Sequence, residues 1–214
     1  TAGYVVPDRV VASISYRKEY FKHLGTSVSL FYQGSIDGRF SYLYGADFNR
    51  DGVTTNPLND LIYIPTTGQV SQMSFQSQTV NGVVYNEASQ RSLFEEYIMQ
   101  DKYLKAHRGQ YAERNGGQFP WRNQLDAKFI QDVFVKSGKN RNTLQFTIDV
   151  FNFGNMLNPS WGKVKSLNAS NGYILFPTNT AALVPGGSVV PQFRLATDRG
   201  QIITRTFRDN VSTI

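Results

Sequence analysis

The chain of 214 residues contains no cysteine. A disulfide framework, a thiolate metal site and a cysteine nucleophile are therefore excluded. It has only two histidines, His23 and His107, isolated from each other, which gives no basis for a histidine metal site or a catalytic triad. No apolar run approaches the roughly 20 residues of a membrane helix, and the mean hydropathy is −0.36. Barrel strands escape that test, because half of their residues are polar. No phosphate-binding glycine loop is present, since Gly116-Gly117 and Gly186-Gly187 read as bare turn glycines. No secretory signal opens the chain, which begins Thr1-Ala2-Gly3-Tyr4 without an initiator Met and so reads as a processed or excised piece. The net charge is +6, but the Lys and Arg residues are scattered. Their one small cluster, 136–141, falls in an expected turn, so no nucleic-acid partner is expected.

What is present is period-two alternation in four segments, residues 10–21, 26–35, 121–135 and 143–153. Leu144, Phe146, Ile148 and Val150 alternate with Gln145, Thr147 and Asp149. Leu125, Ala127, Phe129, Val133 and Val135 oppose Gln124, Asp126, Lys128 and Asp132. Val28, Leu30 and Tyr32 oppose Ser27, Ser29 and Gln33; Val10, Ala12, Ile14 and Tyr16 oppose Ser13, Ser15, Arg17 and Glu19. Successive side chains of a strand point to opposite faces, so these are strands and not helices. Two short turns, Lys22-His23-Leu24-Gly25 and 136–142, contrast with long excursions over 36–120 and 154–200. Outer-membrane barrels have this asymmetry, with an apolar outside and a polar inside. A soluble antiparallel sandwich also alternates, but its loops are usually short.

Three runs carry a family resemblance: Asp60-Leu61-Ile62-Tyr63-Ile64-Pro65, the stretch His107-Arg108-Gly109-Gln110-Tyr111-Ala112-Glu113-Arg114-Asn115, and Asp149-Val150-Phe151-Asn152-Phe153-Gly154-Asn155. In this order they resemble the C-terminal part of the Oar-like TonB-dependent outer-membrane receptors. The resemblance implies an all-β chain, an antiparallel piece of a roughly 22-stranded transmembrane barrel whose N-terminal plug lies elsewhere. It adds a last strand within 201–208, before the terminal aromatic strand of that family, the chain ending at Ser212-Thr213-Ile214. The implied setting is the Gram-negative outer membrane. The implied partners are its lipid, the rest of the barrel and plug, the TonB complex acting through the plug, and a surface lipoprotein or other subunit.

One loop has metal-site chemistry. Asp47-Phe48-Asn49-Arg50-Asp51-Gly52 offers oxygen ligands at alternate positions with a glycine for the turn, as the start of a calcium loop does. Asp47, Asn49 and Asp51 would ligate through side chains and Val53 through its carbonyl. The twelfth position, a glutamate in the complete pattern, is Leu58, and Asp60 would close the cage instead. An Asx-rich turn bonding its own backbone explains the same residues without metal. Residues 92–106 are expected to be helical, with Glu95, Glu96 and Asp101 pairing with Lys102, Lys105 or Arg108. Adjacent Glu95 and Glu96 do not share a helix face, so they make no catalytic carboxylate pair.

Arg17, Glu19, Asp126, Lys128, Asp132 and Asp149 fall on the lumen side, where contact with a passing substrate is one reading, and most are expected to pair with one another or with the plug. Tyr16, Tyr20, Phe21, Tyr32 and Trp121 suit interfacial girdles. Tyr42, Tyr44, Tyr173 and Phe176 fall in outer loops, where ligand contact and simple packing both account for them. The expectation is a transport receptor for a large or scarce nutrient, with no enzymatic chemistry. The alternative is a soluble or surface calcium-dependent β-sandwich that binds or adheres.

Overall fold

The computed structural model describes residues 8–53, 59–168, 172–179 and 189–209. Leu58, Gly186-Gly187 and the chain end at Ser212-Thr213-Ile214 lie outside them. Strands predominate over helices, as expected of an all-β chain, and the largest sheets have four strands; no closed barrel forms among the described residues. The chain divides into two units, one of residues 8–37 with Pro120–Val164, the other of Gly38–Phe119 with Lys165–Asp209.

The first unit is an antiparallel meander of four long strands, Arg9–Tyr20, Leu24–Ile36, Trp121–Ser137 and Asn140–Val150, adjacent in that order. Both connecting turns are tighter than their sequence implies. Tyr20 pairs with Leu24, leaving Phe21, Lys22 and His23 as the turn, with Phe21 and Lys22 at φ 51° and 62°. Ser137 pairs with Asn140, so the second turn is Gly138-Lys139, with Gly138 at φ 60°. A two-residue loop with glycine at its first central position matches the twist of the flanking strands, which is why pairing runs into the region expected to be loop. The fourth strand stops at Val150, before its expected end at Phe153. Asn152 turns back at φ 56°, donating its amide to Asp126 Oδ1 at 2.7 Å, and a helical turn follows at Gly154–Leu157.

The second unit is built differently. Short strands Leu43–Tyr44, Tyr173–Pro177, Gln192–Leu195 and Ser74–Phe75 form a mixed sheet in that order. Three helices, Thr67–Gln72, Glu87–Gln100 and Lys102–Ala106, belong to the same unit. Tyr42, Ile62, Ile64, Phe94, Ile98, Leu104, Ile174 and Leu195 are its fully buried centre. The expected helix over 92–106 is two helices. Asn86 caps the longer one by accepting from the Ser89 amide, so it starts earlier than expected. Asp101 interrupts it with extended backbone and caps the next, accepting from the Tyr103 and Leu104 amides at 2.9 and 3.0 Å. An aspartate competes with the helix backbone for donors and so favours such a junction.

Where a last strand is expected within 201–208, two short strands form. Gln201–Ile202 pairs with Thr197–Asp198, and Phe207–Asp209 pairs with Lys165–Leu167. Neither joins the long meander. Ile202, Ile203 and Thr206 are buried in the second unit, and that burial overrides the local alternation.

Candidate functional site: an apolar sheet face and an acidic loop

Strand register brings the alternating residues into two continuous faces. Ile14 stands opposite Leu30, Leu30 opposite Ala127, and Ala127 opposite Val150; Tyr16, Val28, Phe129 and Ile148 form the next such row. These side chains meet no second layer among the described residues: Ile14 is 68% exposed, Phe146 56% and Ile148 59%. Water would charge each exposed Val, Leu, Ile or Phe roughly 1.5–3 kcal/mol relative to burial, so this face is built to be covered.

The apolar band runs obliquely across the sheet. On the first strand it spans residues 10–16, in register with 123–129 of the third strand. On the fourth it spans 144–150, in register with 127–133. The offset is four residues over three strand-to-strand steps. At about 3.4 Å per residue and about 4.8 Å between strands, a horizontal band implies strands tilted by about 43°. That lies within the roughly 35–45° of barrel strands. Along the chain the two runs are bracketed by Asp8 and Lys18, and by Asn142 and Asn152. On the first strand that bracket covers about 34 Å, or about 25 Å in height at that tilt, the height of an outer-membrane apolar band, whereas the fourth strand ends at Val150, before its bracket closes.

Polar groups at the margins of the band satisfy one another. At the short-turn end, Tyr20 Oη lies 2.8 Å from Thr26 Oγ1, which donates to Gln131 Oε1 at 2.7 Å. At the other, Tyr32 Oη and Trp121 Nε1 both donate to Asn123 Oδ1, at 2.7 and 3.0 Å. The reverse face carries charge in pairs: Arg17 with Asp132 at 2.7 Å, Lys128 with Asp149 at 3.2 Å, and Glu19 with both Arg17 and Arg141. Asp126 is used by the Asn152 amide instead of a cation. Phe134 is buried on this side beneath Arg141, whose guanidinium lies 3.6 Å from the ring centre.

The acidic loop lies in the second unit. Asp51 N donates to both Asp47 Oδ1 and Asn49 Oδ1, at 3.1 and 2.9 Å, drawing two of the expected ligand oxygens onto one amide. Gly52 N donates to Asp47 Oδ2 at 3.0 Å, and Arg50 and Gly52 take positive φ to close the turn. The Asp51 carboxyl sits below the usual carboxylate range, first because the Val53 amide donates to it and then because Asn59 does. Asp60 is turned elsewhere: it is buried, and its Oδ2 accepts the amides of Phe48 and Asn49 at 2.5 and 2.9 Å, bracing the loop from beneath. Among the described residues no three Asp, Glu or His groups converge in a metal-holding cluster. Asp47 and Asn49 converge on the Asp51 amide, and the Asp51 carboxyl turns to the Val53 amide and the Asn59 side chain.

The remaining sequence candidates are structural in their contacts. His107 stacks on Tyr103 at 4.1 Å between ring centres, with Nδ1 2.8 Å from the Tyr103 carbonyl. His23 is exposed in its turn, with Nδ1 3.2 Å from the Phe134 carbonyl. Glu95 pairs with Arg108 at 2.6 Å, whereas Asp101 pairs with no cation among the described residues. Its Oδ2 instead accepts from Tyr42 Oη at 2.5 Å and from Thr206 Oγ1 at 2.7 Å. Tyr42 and Tyr44 are buried, and burial pushes the Tyr44 hydroxyl up to about 12. Gln90 was not singled out by sequence, yet its buried amide joins Gln76, Gln78, Tyr85 and Leu195. A glutamine in a polar helix gives no sign of that role.

No family model, curated protein or solved structure matches this chain.

Proposed function

We propose that the long meander is a section of wall in an outer-membrane β-barrel, and that the chain is the C-terminal part of an Oar-like TonB-dependent receptor. The observation that carries this reading is the exposed apolar face, whose band is offset by four residues and so matches tilted strands crossing about 25 Å of hydrocarbon. The paired charges behind it suit a watery lumen, where an unpaired charge would be costly beside the low-dielectric wall. Both tight turns lie at one end of the sheet, which is then the periplasmic end, and the long connections leave at the other. The outer strands Arg9–Tyr20 and Asn140–Val150 each have a partner on one side only among the described residues. In lipid that demands further strands, because water cannot satisfy the free backbone groups. The rest of the same barrel supplies them.

The role of such a receptor is capture and import of a large or scarce nutrient. Import requires an inner-membrane complex to act on a plug, and no chemistry on the nutrient falls to these residues. The acidic loop is the most specific polar site, and a calcium ion held by Asp47, Asn49, Asp51 and the Val53 carbonyl would stiffen it. Hard oxygen donors on a tight turn suit that ion, and Asp60 acts through the backbone as a positioning residue. Cell fractionation with the intact mass of the native polypeptide tests the reading. A species several times heavier than 24.1 kDa in the outer membrane is expected. A water-soluble native species near that mass contradicts it and favours the calcium-dependent sandwich.

A further inference from the structure

We infer that the short-turn end of the meander carries a cationic collar for the phosphate headgroups of anionic phospholipids, an inference that rests on the barrel-wall reading. Lys18 follows the first strand's apolar run on the same face, two residues beyond Tyr16. Lys22 and Lys139 occupy the two tight turns. All three are exposed, and none is ion-paired among the described residues. The carboxylate nearest in sequence, Glu19, is already held by Arg17 at 3.3 Å and Arg141 at 3.0 Å. At the opposite end Arg122 pairs with Asp37 at 3.1 Å, and Arg9 donates to the neutral side-chain amide of Gln33 at 2.9 Å. Among the described residues three exposed ammonium groups without an ion pair therefore gather at the short-turn rim of the apolar band.

Phe21 supplies an independent observation at the same rim. It is held at φ 51°, where bulky side chains are rare, and its ring is 82% exposed. An exposed aromatic at a strained turn position is poorly placed in bulk water. At a hydrocarbon boundary its ring enters the interface while neighbouring ammonium groups reach the phosphates. The combination calls for a ligand with acyl chains and a phosphodiester, which a lipid has and free phosphate lacks.

The test uses the full-length protein in vesicles of phosphatidylcholine with and without phosphatidylglycerol, carrying a single bimane at Asn140→Cys. Quenching by headgroup-nitroxide phosphatidylglycerol is compared with quenching by the phosphatidylcholine analogue. We expect an anionic preference that weakens with added salt and falls roughly fivefold per lysine removed in Lys18→Gln, Lys22→Gln and Lys139→Gln. Millimolar inorganic phosphate should leave the preference unchanged. Equal quenching by both lipids in inserted protein overturns the collar and spares the barrel wall. Loss of the preference on adding phosphate overturns the lipid assignment in favour of a free anion. Failure of the protein to insert in either vesicle overturns both readings.

Discussion

Arginine substitution along one row of the sheet separates a tilted membrane band from a face covered by protein. Tyr16 and Ile148 belong to the same row, linked through Val28 and Phe129. In a flat, untilted band the two would sit at the same depth. With strands tilted by about 43°, Ile148 lies one residue from the middle of its 144–150 run, about 2–3 Å from the midplane. Tyr16 lies three residues from the middle of 10–16, about 7–8 Å away and next to Lys18. Arginine on a lipid face costs about 2–4 kcal/mol at the midplane and about 0–1 kcal/mol near the interface. Ile148→Arg should therefore cost about 2–4 kcal/mol and Tyr16→Arg about 1 kcal/mol. Thr147→Arg, on the charged side, should cost less than 1 kcal/mol. Urea-dependent folding of the intact protein into vesicles, followed by tryptophan fluorescence, reads all three. Equal penalties at Tyr16 and Ile148 would refute the tilt, and a large penalty at Thr147 would refute the assignment of faces.

Other outcomes follow from the second unit. Asp101→Ala strands the buried Tyr42 and Thr206 hydroxyls and uncaps the helix after it, so thermal unfolding should show a loss of about 3 kcal/mol. Asp101→Asn keeps a capping oxygen and should lose less. The Tyr44 hydroxyl, raised by burial to about 12, stabilises the fold fully below the unfolded tyrosine value near 10. That contribution, up to about 3 kcal/mol, disappears as pH rises through 12, and tyrosinate absorbance should show Tyr44 ionising together with unfolding. Calcium titration by calorimetry should show binding that Asp47→Asn and Asp51→Asn weaken and Asp60→Asn weakens less. Because the Asp51 carboxyl is held low, calcium should stay bound at neutral pH, and release near neutral pH would contradict the ligand set.

The meander was legible in the sequence because strand alternation is a local signal, repeated every second residue along each strand. The turn boundaries differ from the sequence reading by one to three residues, since pairing continues until Gly138 and the Phe21-Lys22 pair supply the required positive φ. The second unit was barely legible. Its core joins Tyr42, Phe94, Ile174 and Leu195, which are far apart in the chain, and no periodicity announces contacts of that kind. Two cues there were readable: Thr66 and Gln69 form a capping box before Thr67–Gln72, and Asn86 caps the longer helix. In the acidic loop, the Asx-rich turn in which Asp47 and Asn49 accept from the Asp51 amide was readable from their spacing. The diversion of Asp60 to the Phe48 and Asn49 amides was not, because it depends on Asp60 being buried.

The most direct test of the wall assignment places nitroxide labels, one at a time, at Leu144, Phe146 and Ile148 and at Gln145 and Thr147 in the membrane-reconstituted protein. Collision rates with oxygen, which concentrates in hydrocarbon, and with a water-soluble nickel chelate are then compared. The account predicts oxygen access at the first three positions and chelate access at the other two. Chelate access on both faces, or protection of Leu144, Phe146 and Ile148 from both reagents, would show that water or protein covers the apolar face and would contradict it.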